Sequence, residues 1–422
     1  MNEGRFSPRF SFLVFLSLVS MTLLAACGDN TATTAITAAG SAATAGSAAT
    51  TAAGSAATTA AAGSATTAAA AGNLSGEIKV GALVTLTGNN SPFGIAIKNG
   101  YDLAVSEINE SKFLGGATIK LVALDDKGDK QEGISVMSKL LDQEKVVSVL
   151  GPTLSSTALA ADPLAQKAGV PVLATSNTAN GITQMGDFIF RNSLPEAGVI
   201  PGTIAAVKAK LNPKKAAIMF ESTNEFTKSA ADVFKAELEK NSIQITGTEA
   251  YSKGDADFRT QLNKLKAASP DILIVSGLIG EAVPIVQQAR EVGFTQPIIG
   301  GNGFNTPTIY KDGKEAAEGI IVGSAWFLGS TNPKSQAFVA AFKKKFNTDP
   351  DQFAAQAYDG AYLMATAIKN AGAANSKAIR DALAQIKNYE GVLGTFSFDA
   401  NRDPVHQPVT VIVKGGKFEL FQ

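Results

Sequence analysis

"KVVSVLGPTLSSTALAADPLAQKAGVPVLATS", residues 145–176, decides how this chain folds. An apolar run, Val146–Leu150, ends on Gly151 and Pro152. A stretch with apolar residues at helical spacing follows and stops at Gly169. A second apolar run then begins at Val170. Short apolar runs bounded by turn residues read as buried strands, and the periodic segment between them reads as a helix. Two strands joined by a helix run parallel, because a parallel pair needs such a crossover. The hydroxyls of Thr153, Ser155, Ser156 and Thr157 sit where the first strand hands over to the helix, with no lysine or arginine near enough in sequence to make them phosphate ligands.

The same alternation runs outward. On the N-terminal side, 77–86 and 117–126 read as strands, and 92–110 and 130–144 as helices. The pattern pauses at "GDFIFRNSLPEAG", 186–198, and restarts. Strands are expected at 214–222, 243–251, 270–277 and 296–301, with helices at 224–241, 257–269 and 280–293. Three more helices, 333–346, 351–372 and 376–388, precede strands at 394–400, 407–414 and 416–421. This is an α/β chain with two βα lobes, each built on a parallel sheet covered on both faces. In open parallel sheets, ligands lie beyond the carboxyl ends of the strands. The glycine-ended runs "SVLG", "VSG" and "IIGG" mark those ends, so two facing lobes would make a cleft.

The 422 residues carry 37 basic and 37 acidic side chains, which points to neither a nucleic-acid nor an acidic-lipid partner. One cysteine allows no internal disulfide. One histidine, His406, leaves no histidine-based triad and no His/Cys metal cluster. Neither G-x-S-x-G nor a Walker A pattern is present, which argues against an enzyme, and no cofactor is expected. "DDKGD" is dense in carboxylates, but Asp125, Asp126 and Asp129 read as a polar strand-to-helix turn with capping aspartates.

Near the start, Arg5 and Arg9 precede a short apolar run that closes on Leu24-Ala25-Ala26-Cys27. This resembles the lipobox of bacterial lipoproteins. The resemblance implies a signal peptide over 1–26 and a diacylglycerol thioether on Cys27, the only cysteine. Residues 31–72 are Ala, Thr, Gly and Ser almost throughout, a composition that cannot bury a core. Residues 27–76 are therefore expected to form a flexible tether with a reach of roughly 35–40 Å.

The body resembles the type I periplasmic binding proteins, in the leucine/isoleucine/valine-binding branch that serves ABC importers. The resemblance spans 77–422. It is carried by "KVGALVTLTGNNSPFG", "GPTLSSTALAADPLAQKAGVPVLATSNTAN", "DADFRTQLNKLKAASPDILIVSG", "QQAREVGF" and "GVLGTFSFDANRD", in family order. It implies lobe one over 77–193 and 326–398, and lobe two over 194–325 and 399–422. Three segments join them, near Arg191–Pro195, Gly323–Leu328 and Phe398–Arg402.

The resemblance also assigns the site. Ser155 binds the ligand carboxylate. Free amides at a helix start favour an anion, and Ser156 can join through hydroxyl and amide. Ser176 contributes its carbonyl, and Thr178 its hydroxyl and amide. Phe93 covers the ligand from lobe one and Phe226 from lobe two. Taken singly, each has a plainer reading: the serines as helix caps, the phenylalanines as core.

Two matched positions depart from the amino-acid binders. The acid that pairs with a ligand ammonium aligns with Asn302, and a usual tyrosine aligns with Leu278. Both changes remove partners of an ammonium. Either another acid reaches it, with Glu221, Glu225 and Glu281 as candidates, or the ligand has none. The expectation is a solute receptor that captures a small carboxylate, of the branched-chain amino acid class by family, and hands it to an ABC permease and ATPase complex. The alternatives are an aromatic or aliphatic carboxylate, a short amide, or a sensor for a membrane signalling protein.

Overall fold

A computed structural model describes residues 74–422. Cys27, the signal peptide and nearly all of the expected tether lie outside the described residues. The first lobe is built from strands β1 (Ser75–Val84), β2 (Gly116–Asp125), β3 (Ser148–Leu150), β4 (Val172–Ala174) and β5 (Ile189–Arg191). Helices α1 (Ser91–Glu110), α2 (Lys130–Asp142) and α3 (Ser155–Ala168) connect them. The strands pair in parallel in the order β2-β1-β3-β4-β5.

Helix α4 (Glu196–Leu211) opens the second lobe. It is followed by β6 (Lys215–Glu221), α5 (Glu225–Lys240), β7 (Gln244–Tyr251), α6 (Arg259–Ala267), β8 (Ile272–Ser276), α7 (Ile279–Glu291), β9 (Ile298–Gly300), the short α8 (Thr308–Gly313) and β10 (Ile321–Ser324). The chain returns through α9 (Pro333–Phe346), α10 (Gln352–Ala371) and α11 (Ser376–Ala384). It ends in β11 (Tyr389–Gly391), β12 (Gly394–Phe398), β13 (Pro404–Val405), β14 (Val409–Lys414) and β15 (Lys417–Leu420). The second sheet runs β15-β14-β10-β9-β8-β6-β7. Five of its strands are parallel, and β14 and β15 extend it antiparallel at one edge.

Every residue of β3, β8 and β9 is buried, as expected of strands covered on both faces. Helix α3 ends in a left-handed cap at Gly169, φ +66°, a conformation that costs glycine nothing. Gly94 lets α1 sit against the end of β1: a Cβ there would meet the Thr85 carbonyl oxygen at 1.9 Å.

The pause at 186–198 needs correction, because it holds β5 and the start of α4. β5 is only three residues long, and Gly198, Pro201 and Gly202 interrupt the helical signal of α4. β1 also begins at Ser75, inside the span expected to be tether.

The chain crosses between the sheets three times, within 192–195, 325–332 and 399–408. After the second crossing α10 packs on α1, and Ser376 Oγ donates to the Val147 carbonyl at 2.9 Å. The first and third crossings are pinned by Arg191, which is 2% exposed. Its Nε and Nη2 donate to Asp403 at 2.5 and 3.1 Å, and its Nη1 donates to the Ala179 carbonyl at 2.8 Å. The aspartates of "DDKGD" work as turn and cap. Asp129 caps α2 at Gln131 and Glu132, and Asp125 and Asp126 accept from neighbouring amides and the threonines of 85–87.

Candidate functional site

A cavity with about 350 Å³ of empty space, partly open to solvent, lies between the lobes at the strand ends. Phe93, Thr153, Leu154, Ser155, Ser176, Thr178 and Phe353 line it from the first lobe, and Asn224, Phe226, Leu278, Asn302 and Gly303 from the second. None of these side chains is charged. Seven of the eight residues assigned to ligand binding from sequence are therefore together. Ser156 is the exception, because the helix turns its side chain into a neighbouring cavity.

The Ser155 loop leaves the start of α3 uncapped at the cavity. Leu154, not Ser155, is the N-cap of α3 and offers no side-chain acceptor. The first amides of α3 thus receive no side-chain cap, and they sit at the positive end of the helix dipole. Ser155 Oγ accepts from the amides of Thr178 and Ala179 at 3.2 and 3.3 Å, which ties the two loops together. Ser176 Oγ donates to the Thr153 carbonyl at 2.6 Å.

The aromatic walls are both core and cavity. Phe93 is 3% exposed and packs on Phe353 with ring centroids 4.8 Å apart. Phe226 is held at the start of α5, where the Asn224 carboxamide oxygen caps its amide at 2.9 Å. Leu278 caps α7, and Gly303 passes so close that a Cβ would meet the Gly277 carbonyl oxygen at 2.2 Å.

Reading the sequence missed the acid that stands behind this cavity. Glu196, the first residue of α4, is 2% exposed. Its Oε1 accepts from the Thr178 hydroxyl at 3.2 Å and from the Asn302 amide at 3.2 Å, so it joins the two lobes. Burial pushes its carboxyl up to about 7, against the pull of those two bonds and of Arg191. The only sequence signal was an acidic residue directly after Pro195, where a helix begins. Gln352 was also missed. Its Nε2 donates to Asn302 Oδ1 at 2.7 Å, while its Oε1 accepts from Ser324 Oγ and the Ala325 amide at 2.8 and 2.6 Å.

Of the acids considered as ammonium partners, Glu225 is taken by Lys130 across the cleft, at 2.5 Å. Glu221 and Glu281 line the neighbouring cavity with Ser156. Contacts between the lobes also include Asn180 amide to Ser229 Oγ at 3.0 Å and Gly280 amide to Asn90 Oδ1 at 3.4 Å. Among the described residues, no group of three or more His, Cys, Asp or Glu could hold a metal ion.

Residues 77–416 match the model of a family described as periplasmic binding protein. A Leu/Ile/Val-binding protein homolog of Brucella abortus is 28% identical over 356 residues, 82% of this chain and 94% of its own length. The branched-chain amino acid transporter substrate-binding protein of Streptococcus pneumoniae, solved with isoleucine, is 34% identical with a TM-score of 0.76. That match covers 81% of this chain and 98% of the relative. A solute-binding protein from R. palustris, solved with benzoate, is 25% identical with a TM-score of 0.75, covering 82% and 95%.

Proposed function

The chain belongs to the periplasmic binding protein family, as a non-enzymatic, extracytoplasmic solute-binding protein of an ABC transporter, and from that premise we propose that it captures a small α-amino acid with an apolar side chain. The observation that carries this reading is Glu196, bonded to both Thr178 and Asn302. It supplies, from another position, the negative charge that Asn302 lacks. The ligand carboxylate lies at the amides and hydroxyl of Ser155. The ammonium is held by the Ser176 carbonyl, Thr178 and Glu196, and the side chain by Phe93, Phe226, Leu278 and Phe353. The printed ligand of the S. pneumoniae relative, isoleucine, supports this class.

The lobes in this reading are 77–193 with 326–398, and 194–325 with 399–422. A ligand that touches both shifts the population toward the shut form, which a permease and its ATPase then receive. A lipid on Cys27 keeps the protein at the membrane. A second reading, an aromatic carboxylate, is favoured by the uncharged cavity wall with its three phenylalanines, and by benzoate in the R. palustris relative.

A thermal-shift and calorimetric comparison of leucine, isoleucine, valine, benzoate and 4-hydroxybenzoate separates the two. A ligand at 100 times its Kd should stabilise by about 2.7 kcal/mol. Binding of the aliphatic amino acids, weakened in Glu196→Gln, is the expected result. Benzoates binding while all three amino acids fail would replace the first reading by the second.

A further inference from the structure

Three Asn-Gly pairs occur in the chain, at 99–100, 180–181 and 302–303. In such a pair the glycine amide nitrogen reaches the asparagine carboxamide easily, because glycine carries no Cβ to bar the approach. The fold holds two of the three pairs shut. Gly100 lies inside α1 with its amide in the helical ladder, and a Cβ there would meet the Ala354 carbonyl oxygen at 2.3 Å. Gly303 is wedged against the Gly277 carbonyl oxygen, and Asn302 Oδ1 accepts from Gln352 Nε2 at 2.7 Å. The third pair is held by none of this. Asn180 and Gly181 are both exposed, in the turn that follows Thr178. Gly181 has φ +86°, and a Cβ there would approach only Leu159 Cδ2, at 4.0 Å. Among the described residues, neither the Asn180 carboxamide nor the Gly181 amide has a hydrogen-bond partner.

We propose that Asn180 is a site of spontaneous deamidation. The Gly181 nitrogen attacks Cγ of Asn180 and gives up its proton, and the carboxamide nitrogen leaves as ammonia. The resulting succinimide is opened by solvent water at either carbonyl, to aspartate or to isoaspartate. One water is consumed and one ammonia released, with no change of oxidation state. Nothing in this depends on which ligand the cavity holds. Either product puts a carboxylate two residues from Thr178, beside the lobe-to-lobe bond from the Asn180 amide to Ser229 Oγ. The isoaspartate form also runs the main chain through Cβ. That lengthens the link from the Thr178 loop to Thr183, whose hydroxyl donates to Asp403 at 3.1 Å and whose carbonyl accepts from Arg402 at 2.7 Å in the third crossing.

Ageing the full chain tests this. The protein is incubated at mildly alkaline pH, folded and in guanidinium chloride, then digested, and its asparagines are followed by mass spectrometry as NH is exchanged for O. In the folded protein Asn180 should convert within about threefold of its rate in denaturant, while Asn99 and Asn302 are slowed roughly tenfold or more, because they react only from locally opened forms. The rate at Asn180 should rise with pH, since the attacking nitrogen must lose its proton. An isoaspartate methyltransferase should label the peptide that contains residue 180. Asn180→Gln changes only an exposed side chain, and its longer carboxamide would have to close a six-membered ring. It should leave that peptide unlabelled over the same time. Folding that protects Asn180 as strongly as Asn99 overturns the proposal, as does labelling that persists in the Asn180→Gln peptide.

Discussion

Lowering the pH should weaken an ammonium-bearing ligand through one residue, Glu196. Its carboxyl is pushed up to about 7 in the empty protein, chiefly by burial. Below that pH the side chain is neutral, and an ammonium must expel its proton to obtain a counter-charge. Between pH 7.5 and 5.5 the ionised fraction falls roughly twenty-fivefold, a loss of about 2 kcal/mol at 1.36 kcal/mol per pKa unit. Calorimetric Kd values for leucine should rise by that factor. In Glu196→Gln the profile should be flat and leucine weak throughout. The sign for stability is the reverse. The folded pKa lies above the ordinary value of 4.5, so the empty folded state holds more protons than the unfolded one between about 4.5 and 7. Stability of the empty protein therefore falls as pH rises through that window, and ligand restores it. A leucine Kd that does not change over this range would refute the role given to Glu196, and a Kd that improves on acidification would favour a ligand without an ammonium.

Three other expectations follow from named contacts. Arg191→Met removes the partner of a nearly buried Asp403 and the donor to Ala179, and should cost about 3–5 kcal/mol in denaturant unfolding. Ser155→Ala strands the amides of Thr178 and Ala179 and removes a ligand donor. It should weaken binding by about 1–3 kcal/mol in calorimetry, with circular dichroism unchanged. Asp359 accepts from the amides of Val392 and Leu393 at 2.9 and 3.0 Å, and burial pushes its carboxyl up to about 7. Its share of stability should fall as pH rises from about 4 to about 7, and Asp359→Asn should remove that part of the slope in pH-dependent unfolding.

Segments with a strong period were legible in the sequence: α1, α2, α3, α5 and α10 all lie where apolar spacing put them. Helix α4 was not, because two glycines and a proline hide its pattern. That Ser155 and Thr178 meet at one cavity was legible because they lie on adjacent strand ends of one lobe. Glu196 was not, since only the path of the first crossing brings it beside Thr178 and Asn302, which are remote in sequence. The resemblance could show that position 302 is not acidic, but not that Glu196 lies bonded to its amide. Ser155 and Ser156 are neighbours in sequence, yet the helical turn sends them into different cavities.

Gln352 binds specificity to mechanics. One carboxamide serves three bonds, one to Ser324 at the end of β10, one to Ala325 at the start of the second crossing and one to Asn302 in the cavity wall. A replacement at 302 that cannot accept from Nε2 would leave a buried donor stranded beside the pivot. Residue 302 is therefore not free to drift toward a new solute by itself. A change at 302 therefore has to be matched at Gln352, and through it at the segment that links one sheet to the other, so the cavity wall and the connection between the halves are inherited together.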